Sequence, residues 1–162
     1  MSVNKDRPHI LVLPEDDANR QLANGFLMEV PPISLRKIQV LPVAGGWIRV
    51  LDGFLSDHVK DMNHCSARFM VLLIDFDNHQ ERLEDAKARI PQDLLERVFI
   101  LGALSEPEAL KQAHLGSYET IGKALAEDCR DGTDATWAHK LLRHNAGELY
   151  RLREFVRPIL FT

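Results

Sequence analysis

Asp75-Phe76-Asp77 directly follows the apolar run at residues 69–74 (FMVLLI). On an extended segment, side chains two apart share a face, so both carboxylates are expected to point the same way. Two carboxylates at short range resist joint ionisation unless a cation neutralises them. Oxygen ligands of this kind suit magnesium or manganese, which keep several waters and take few protein carboxylates. Acidic groups recur in equivalent places. Glu15, with Asp16 and Asp17, follows the run at 9–13 (HILVL), and Glu106 with Glu108 follows the run at 97–101. Gly45-Gly46 closes a further run at 37–43, where a bare backbone can approach a phosphate closely.

The elements that must position these groups follow from periodicity. Strands are expected at 9–13, 37–43, 69–74 and 97–101, and helices at about 17–30, 47–60 and 78–89. Unbroken apolar strands separated by helices are the signature of a buried parallel sheet. The fold class is therefore α/β, a three-layer sandwich around a four-stranded parallel sheet. Ligands bind such sheets beyond the carboxyl ends of the strands, which is where all three acidic groups fall.

After Gly102 the pattern is purely helical. Ser105-Glu106-Pro107-Glu108 opens one helix, and a second at about 118–129 is broken by Asp131-Gly132. A third is expected at 134–144, and residues 145–148 open the last, with Leu149, Leu152, Phe155 and Val156 facing the core. Residues 1–104 read as the α/β domain and 105–162 as a helical extension packed on it.

Simpler roles compete for several of these residues. Asp16 and Asp17 suit capping and the dipole of the first helix, Asp77 or Asn78 can cap the third, and Ser105-x-x-Glu108 matches a capping box. Glu15, Asp75 and Asp77 are assigned together to a metal because separate βα junctions place them at one edge. The pairs His58/His64 and His139/His144 do not have a metal-binding interval on one helical face, while His79 adjoins the acids within reach of a phosphate or an attacking water. Cys65 and Cys129 match no zinc or redox spacing. There is no nucleophile elbow or Walker A sequence. Lys140, Arg143, His144, Arg151, Arg153 and Arg157 make the end of the chain locally basic. If these line a groove leading to the acids, Arg151 and Arg157 contact phosphates; otherwise they are solvated helix faces.

Composition sets the outer bounds. The chain has 162 residues, 45% hydrophobic and 27% charged, which is ordinary for one globular domain. The net charge of −4 gives no global basic field to attract nucleic acid. No apolar run approaches the ~18 residues of a membrane span and the first residues are polar, so the cytoplasm is the expected location.

The spacing of these motifs resembles the Toprim domain. Its pattern is a glutamate after the first strand, a glycine-containing turn after the second and D-x-D after the third. Here those read Pro14-Glu15-Asp16, Ala44-Gly45-Gly46 and Ile74-Asp75-Phe76-Asp77, covering about residues 8–105. The resemblance implies Mg2+- or Mn2+-dependent phosphoryl transfer on nucleic acid, DNA first, as a nuclease or nickase. It implies Asp75 and Asp77 as ligands, Glu15 as ligand or general base, and Gly45 and Gly46 beside the phosphate. Asp16 stands where many Toprim domains have glycine and is an alternative to Glu15; Glu106 or Glu108 matches a further acid after the fourth strand. Some Toprim-like proteins act only with a partner, so a non-catalytic subunit of an ATPase is the alternative, and a homo-oligomer is left open. Residues 10–20 (ILVLPEDDANR) are also similar to the start of a response-regulator receiver, with Asp75 as phospho-acceptor. A receiver requires a fifth strand and a following lysine, and the helical pattern beyond Leu101 provides neither.

Overall fold

The computed structural model describes residues 2–162, and four parallel strands form one sheet in the order β2-β1-β3-β4. These are β1 (His9–Pro14), β2 (Ile38–Val40), β3 (Arg68–Leu73) and β4 (Val98–Leu101). Alternation along each strand sorts its side chains between two cores. Ile10, Val12, Val71, Phe99 and Leu101 face one layer, where α1 (Asp17–Leu27), α6 (Tyr118–Asp131) and α7 (Ala146–Phe155) cover the sheet. Leu11, Leu13, Met70, Leu72, Val98 and Ile100 face the other, under α2 (Trp47–Gly53), α3 (Val59–His64) and α4 (Arg82–Arg89). The α/β sandwich expected from the apolar runs is the observed architecture, and the helices after residue 105 pack on it. Among the described residues no helix is long and apolar enough to cross a membrane.

Close helix packing on the first face rests on two glycines. A Cβ at Gly25 in α1 would fall 2.1 Å from the Glu119 carbonyl oxygen, and one at Gly122 in α6 would fall 1.9 Å from that of Leu22. Larger residues would force the backbones apart.

The edge strand β4 is closed by side chains rather than by a fifth strand. Glu148 accepts from the Ile100 amide at 3.0 Å, and Asn145 bonds both the amide (3.2 Å) and the carbonyl (3.0 Å) of Gly102. Arg151 donates to the Val98 carbonyl at 3.2 Å and to Leu95 and Glu96 at 2.8 and 3.0 Å. Asn145, Glu148 and Arg151 are three apart, so one helical face presents donors and acceptors along an otherwise open strand edge. A fifth strand, which the receiver reading requires, is not formed among the described residues.

Three local expectations are corrected. The helix expected from Asn78 starts only at Arg82, because the amides of Phe76, Asp77 and Asn78 bond the carbonyls of Ala103, Ser105 and Leu104 and prolong the β3–β4 pairing. Asp77 and Asn78 then turn through the left-handed region, at φ 48° and 64°. The second helix does not stop near Lys60: α2 passes through a π turn at Phe54–His58 into α3, ending at His64. No helix fills 134–142, a stretch of turns, because the Asp128 carboxylate holds the Thr136 and Trp137 amides and the Thr133 hydroxyl.

Arg151→Ala is expected to lower stability by about 2–4 kcal/mol, since it strips three carbonyls of a donor and weakens the neutralisation of the buried Glu148. A fall in the urea midpoint measures this; a loss of only surface-residue size would show that the strand edge does not depend on it.

Candidate functional site

In the order β2-β1-β3-β4, the chain leaves β1 toward β2 on one side and crosses to β3 on the other. The carboxyl ends of β1 and β3 therefore flank the switch point, where a crevice opens in such sheets. Glu15 and Asp75 emerge on either side of it. The Glu15 carboxylate spans the gap and accepts from the Asp75 amide at 2.6 Å, while its own amide donates to the Leu73 carbonyl at 2.8 Å.

Asp75 is only 7% exposed, and its carboxylate accepts from Asn19 Nδ2 at 2.9 Å. Asn19 is fully buried, and the same amide donates at 3.0 Å to Asp16, whose carboxylate also caps α1 by accepting from the Asn19 amide. Burial first, and then the charges of Glu15, Asp16 and Asp77, push Asp75 up to about 8 against the opposing Asn19 bond. Burial likewise raises Glu15, helped by Asp16 and Asp77 and opposed by the Asp75 amide and the Arg82 charge. A carboxyl group held near 8 is an acid kept from ionising first by burial and then by the neighbouring carboxylates.

Asp77 is placed differently from the expectation. It is exposed, and its carboxylate pairs with Arg82 at 2.8 Å, while the same guanidinium nitrogen reaches the Asp75 carbonyl at 2.8 Å and the group stacks over Trp47. The two aspartates do not stand on one extended face, because the strand ends at Leu73 and Asp77 is left-handed. Glu106 is exposed at the start of α5 (Pro107–Gln112), its side chain caps nothing, and its charge acts on Tyr118 and not on Asp75. The expected Ser105 capping box is absent, the Ser105 hydroxyl being buried without a partner. His79 is exposed beside Glu81.

The expected phosphate contacts divide. Gly45 and Gly46 lie against the acids, and the Gly45 amide is already committed to the Glu15 carbonyl at 2.8 Å, so only Gly46 keeps a backbone donor to offer. Arg151 and Arg157 are corrected. Arg151 is bound around the entry to β4, and Arg157 starts α8 (Arg157–Leu160), which packs on the 3-10 turn Pro32–Lys37 leading into β2. Both belong to the amino edge of the sheet, opposite the acids. Asn19 and Arg82 were not singled out by spacing. Asn19 had a legible signal, a polar residue on the same helical face as Leu22, Ala23 and Phe26.

No three His, Cys, Asp or Glu side chains among the described residues meet in the geometry of a metal site. A magnesium or manganese ion nonetheless fits the donors present, since it needs only one or two carboxylates and keeps waters of its own. Asn19 Oδ1 is a buried acceptor with no protein donor beside Asp75, a position suited to a bound water. Glu15 and Asp75 are the residues to hold such an ion, with Asp16 alongside.

The raised Asp75 value sets a sign for stability. Because the folded state prefers protonated Asp75, this contribution is full below the ordinary 3.8 and is lost as pH rises through about 8. In chelator, Asp75→Asn is expected to match wild type near pH 4 and to be more stable at pH 9, by on the order of a few kcal/mol. Denaturant midpoints of both proteins across that range check it. A gap that does not widen with pH contradicts the buried, crowded carboxyl group.

Comparison with protein-family models, curated proteins and solved structures finds no match.

Proposed function

We propose that the chain is a Toprim-like phosphodiesterase that nicks or hydrolyses nucleic acid, DNA first, with Mg2+ or Mn2+. The observation that carries this is the buried Asp75 carboxylate beside Glu15 at the carboxyl ends of β1 and β3, raised to about 8 by burial and then by neighbouring carboxylates. A divalent ion there supplies charge neutralisation on the phosphate and a more acidic bound water. Asp75 and Glu15 hold it, and Asn19 fixes the Asp75 rotamer through its amide. Where Glu15 stands beside the ion as the base and not as a ligand, the burial that raises its affinity for protons suits it to take one from the attacking water. Gly46 offers its amide to a phosphate oxygen, and Arg82 keeps the Asp77 charge neutralised at the rim.

A second reading, a subunit acting only with a partner ATPase, draws on the engagement of Asp77 by Arg82 and on the finding that no three ligands converge among the described residues. A partner or the nucleic acid itself would then complete the site.

Supercoiled plasmid with millimolar Mn2+ or Mg2+ distinguishes the two. The isolated protein is expected to nick it, and Asp75→Asn and Glu15→Gln each to lose about a hundredfold or more in rate. Arg151→Ala, where folded, is expected to retain wild-type rates. An isolated protein inert on plasmid and on single-stranded DNA with either metal rejects the nuclease and leaves the subunit.

A further inference from the structure

The glycine at position 53 has no explanation in the fold. Gly53 is right-handed helical, with φ −63° and ψ −41°, inside the continuous helical run from α2 to α3. Glycine is unfavourable in a helix interior, and a Cβ built here would meet no atom within 4 Å. Neither conformation nor packing calls for it.

What adjoins Gly53 is a cavity of about 360 Å3 between the carboxyl end of β1, the segment 41–44 that follows β2, and the helical run from α2 into the π turn. One wall is apolar, formed by Leu13, Leu41, Pro42 and Val43. Arg49 also lines it, with its guanidinium 3.2 Å from where a Cβ on Gly45 would be, and Gly45 is bonded to Glu15. Arg49 is exposed and, unlike Arg20, Arg82 and Arg89, pairs with no carboxylate among the described residues. Asp57 and His58 also line the cavity, from the π turn that begins directly after Gly53. Such turns are often retained at functional sites, because they interrupt regular helical bonding. Burial lowers the His58 pKa, which favours the neutral imidazole, a group able both to donate and to accept.

An unpaired cation, an apolar wall and two polar side chains able to hydrogen-bond describe a ligand with an anionic group, a flat apolar body and a polar edge. We propose that this cavity binds one nucleotide of the substrate, next to the phosphate held at Glu15 and Asp75. Arg49 takes the nucleotide's phosphate, the base lies along Leu41–Val43, and Asp57 and His58 meet the base edge. Gly53 keeps the space open. This inference rests on the nucleic-acid reading above, but it concerns binding alone and needs neither metal nor turnover.

The test is calorimetric titration of the protein, in chelator, with the four 2′-deoxynucleoside 5′-monophosphates and with inorganic phosphate. At least one mononucleotide is expected to bind tenfold or more tightly than phosphate. Arg49→Ala and Gly53→Leu are each expected to weaken it at least tenfold, with Gly53→Leu melting no lower than wild type because leucine is the better helix former. Wild type saturated by no mononucleotide, phosphate binding as tightly as the nucleotides, or normal binding by folded Gly53→Leu overturns the proposal. A protein that binds nucleotides but cleaves no DNA keeps the pocket and rejects the nuclease; one that cleaves but binds none rejects the pocket alone.

Discussion

A carboxylate almost excluded from water and crowded by other carboxylates is the constraint around which this molecule is arranged. Asp75 is fixed by a backbone that continues β3, by Asn19 rising from α1 and by the Glu15 carboxylate bonded to its amide. Each restraint comes from a different element, so the site is as rigid as the sheet and the first helix. Left to itself, the group resolves the crowding by keeping its proton. A divalent cation would resolve it the other way, and the proposed chemistry follows from that competition between proton and metal.

The C-terminal helices serve the site indirectly. Asn145, Glu148 and Arg151 supply β4 with the bonds that a neighbouring strand would otherwise provide, and Asn145 reaches Gly102 at the strand's carboxyl end. Beyond Gly102, residues 103–105 carry the carbonyls that hold Phe76, Asp77 and Asn78. The loop bearing the aspartates is thus braced by a segment that is itself tied to α7. Phe76 is buried between them, its ring edge-on to His144 at 4.7 Å.

Much of this was legible in the sequence because strong local signals agreed. Runs such as HILVL and FMVLLI have no polar face, and only a sheet covered on both sides accommodates them. Acids directly after such runs must lie at the carboxyl edge, which is why Glu15 and Asp75 were found. The arginines were misplaced for a physical reason: helical spacing tells which residues share a face, not which end of the sheet that face meets. Spacing alone makes Arg151 a solvated or phosphate-binding residue, whereas its fork satisfies backbone carbonyls. Asp77 was assigned by a two-residue period that ends with the strand. Arg49 carries no sequence signal, because its standing depends on its making no ion pair with a carboxylate among the described residues in three dimensions.

Competition between proton and cation at Asp75 is directly measurable. Calorimetric titration of Mn2+ near pH 6.5, in two buffers with different ionisation enthalpies, counts the protons released per ion bound. Wild type is expected to release close to one, falling toward zero by about pH 9, and Asp75→Asn is expected to release none and to bind far more weakly. Manganese binding with no proton release at pH 6.5, or binding unaffected by Asp75→Asn, would contradict a cation held at this carboxylate.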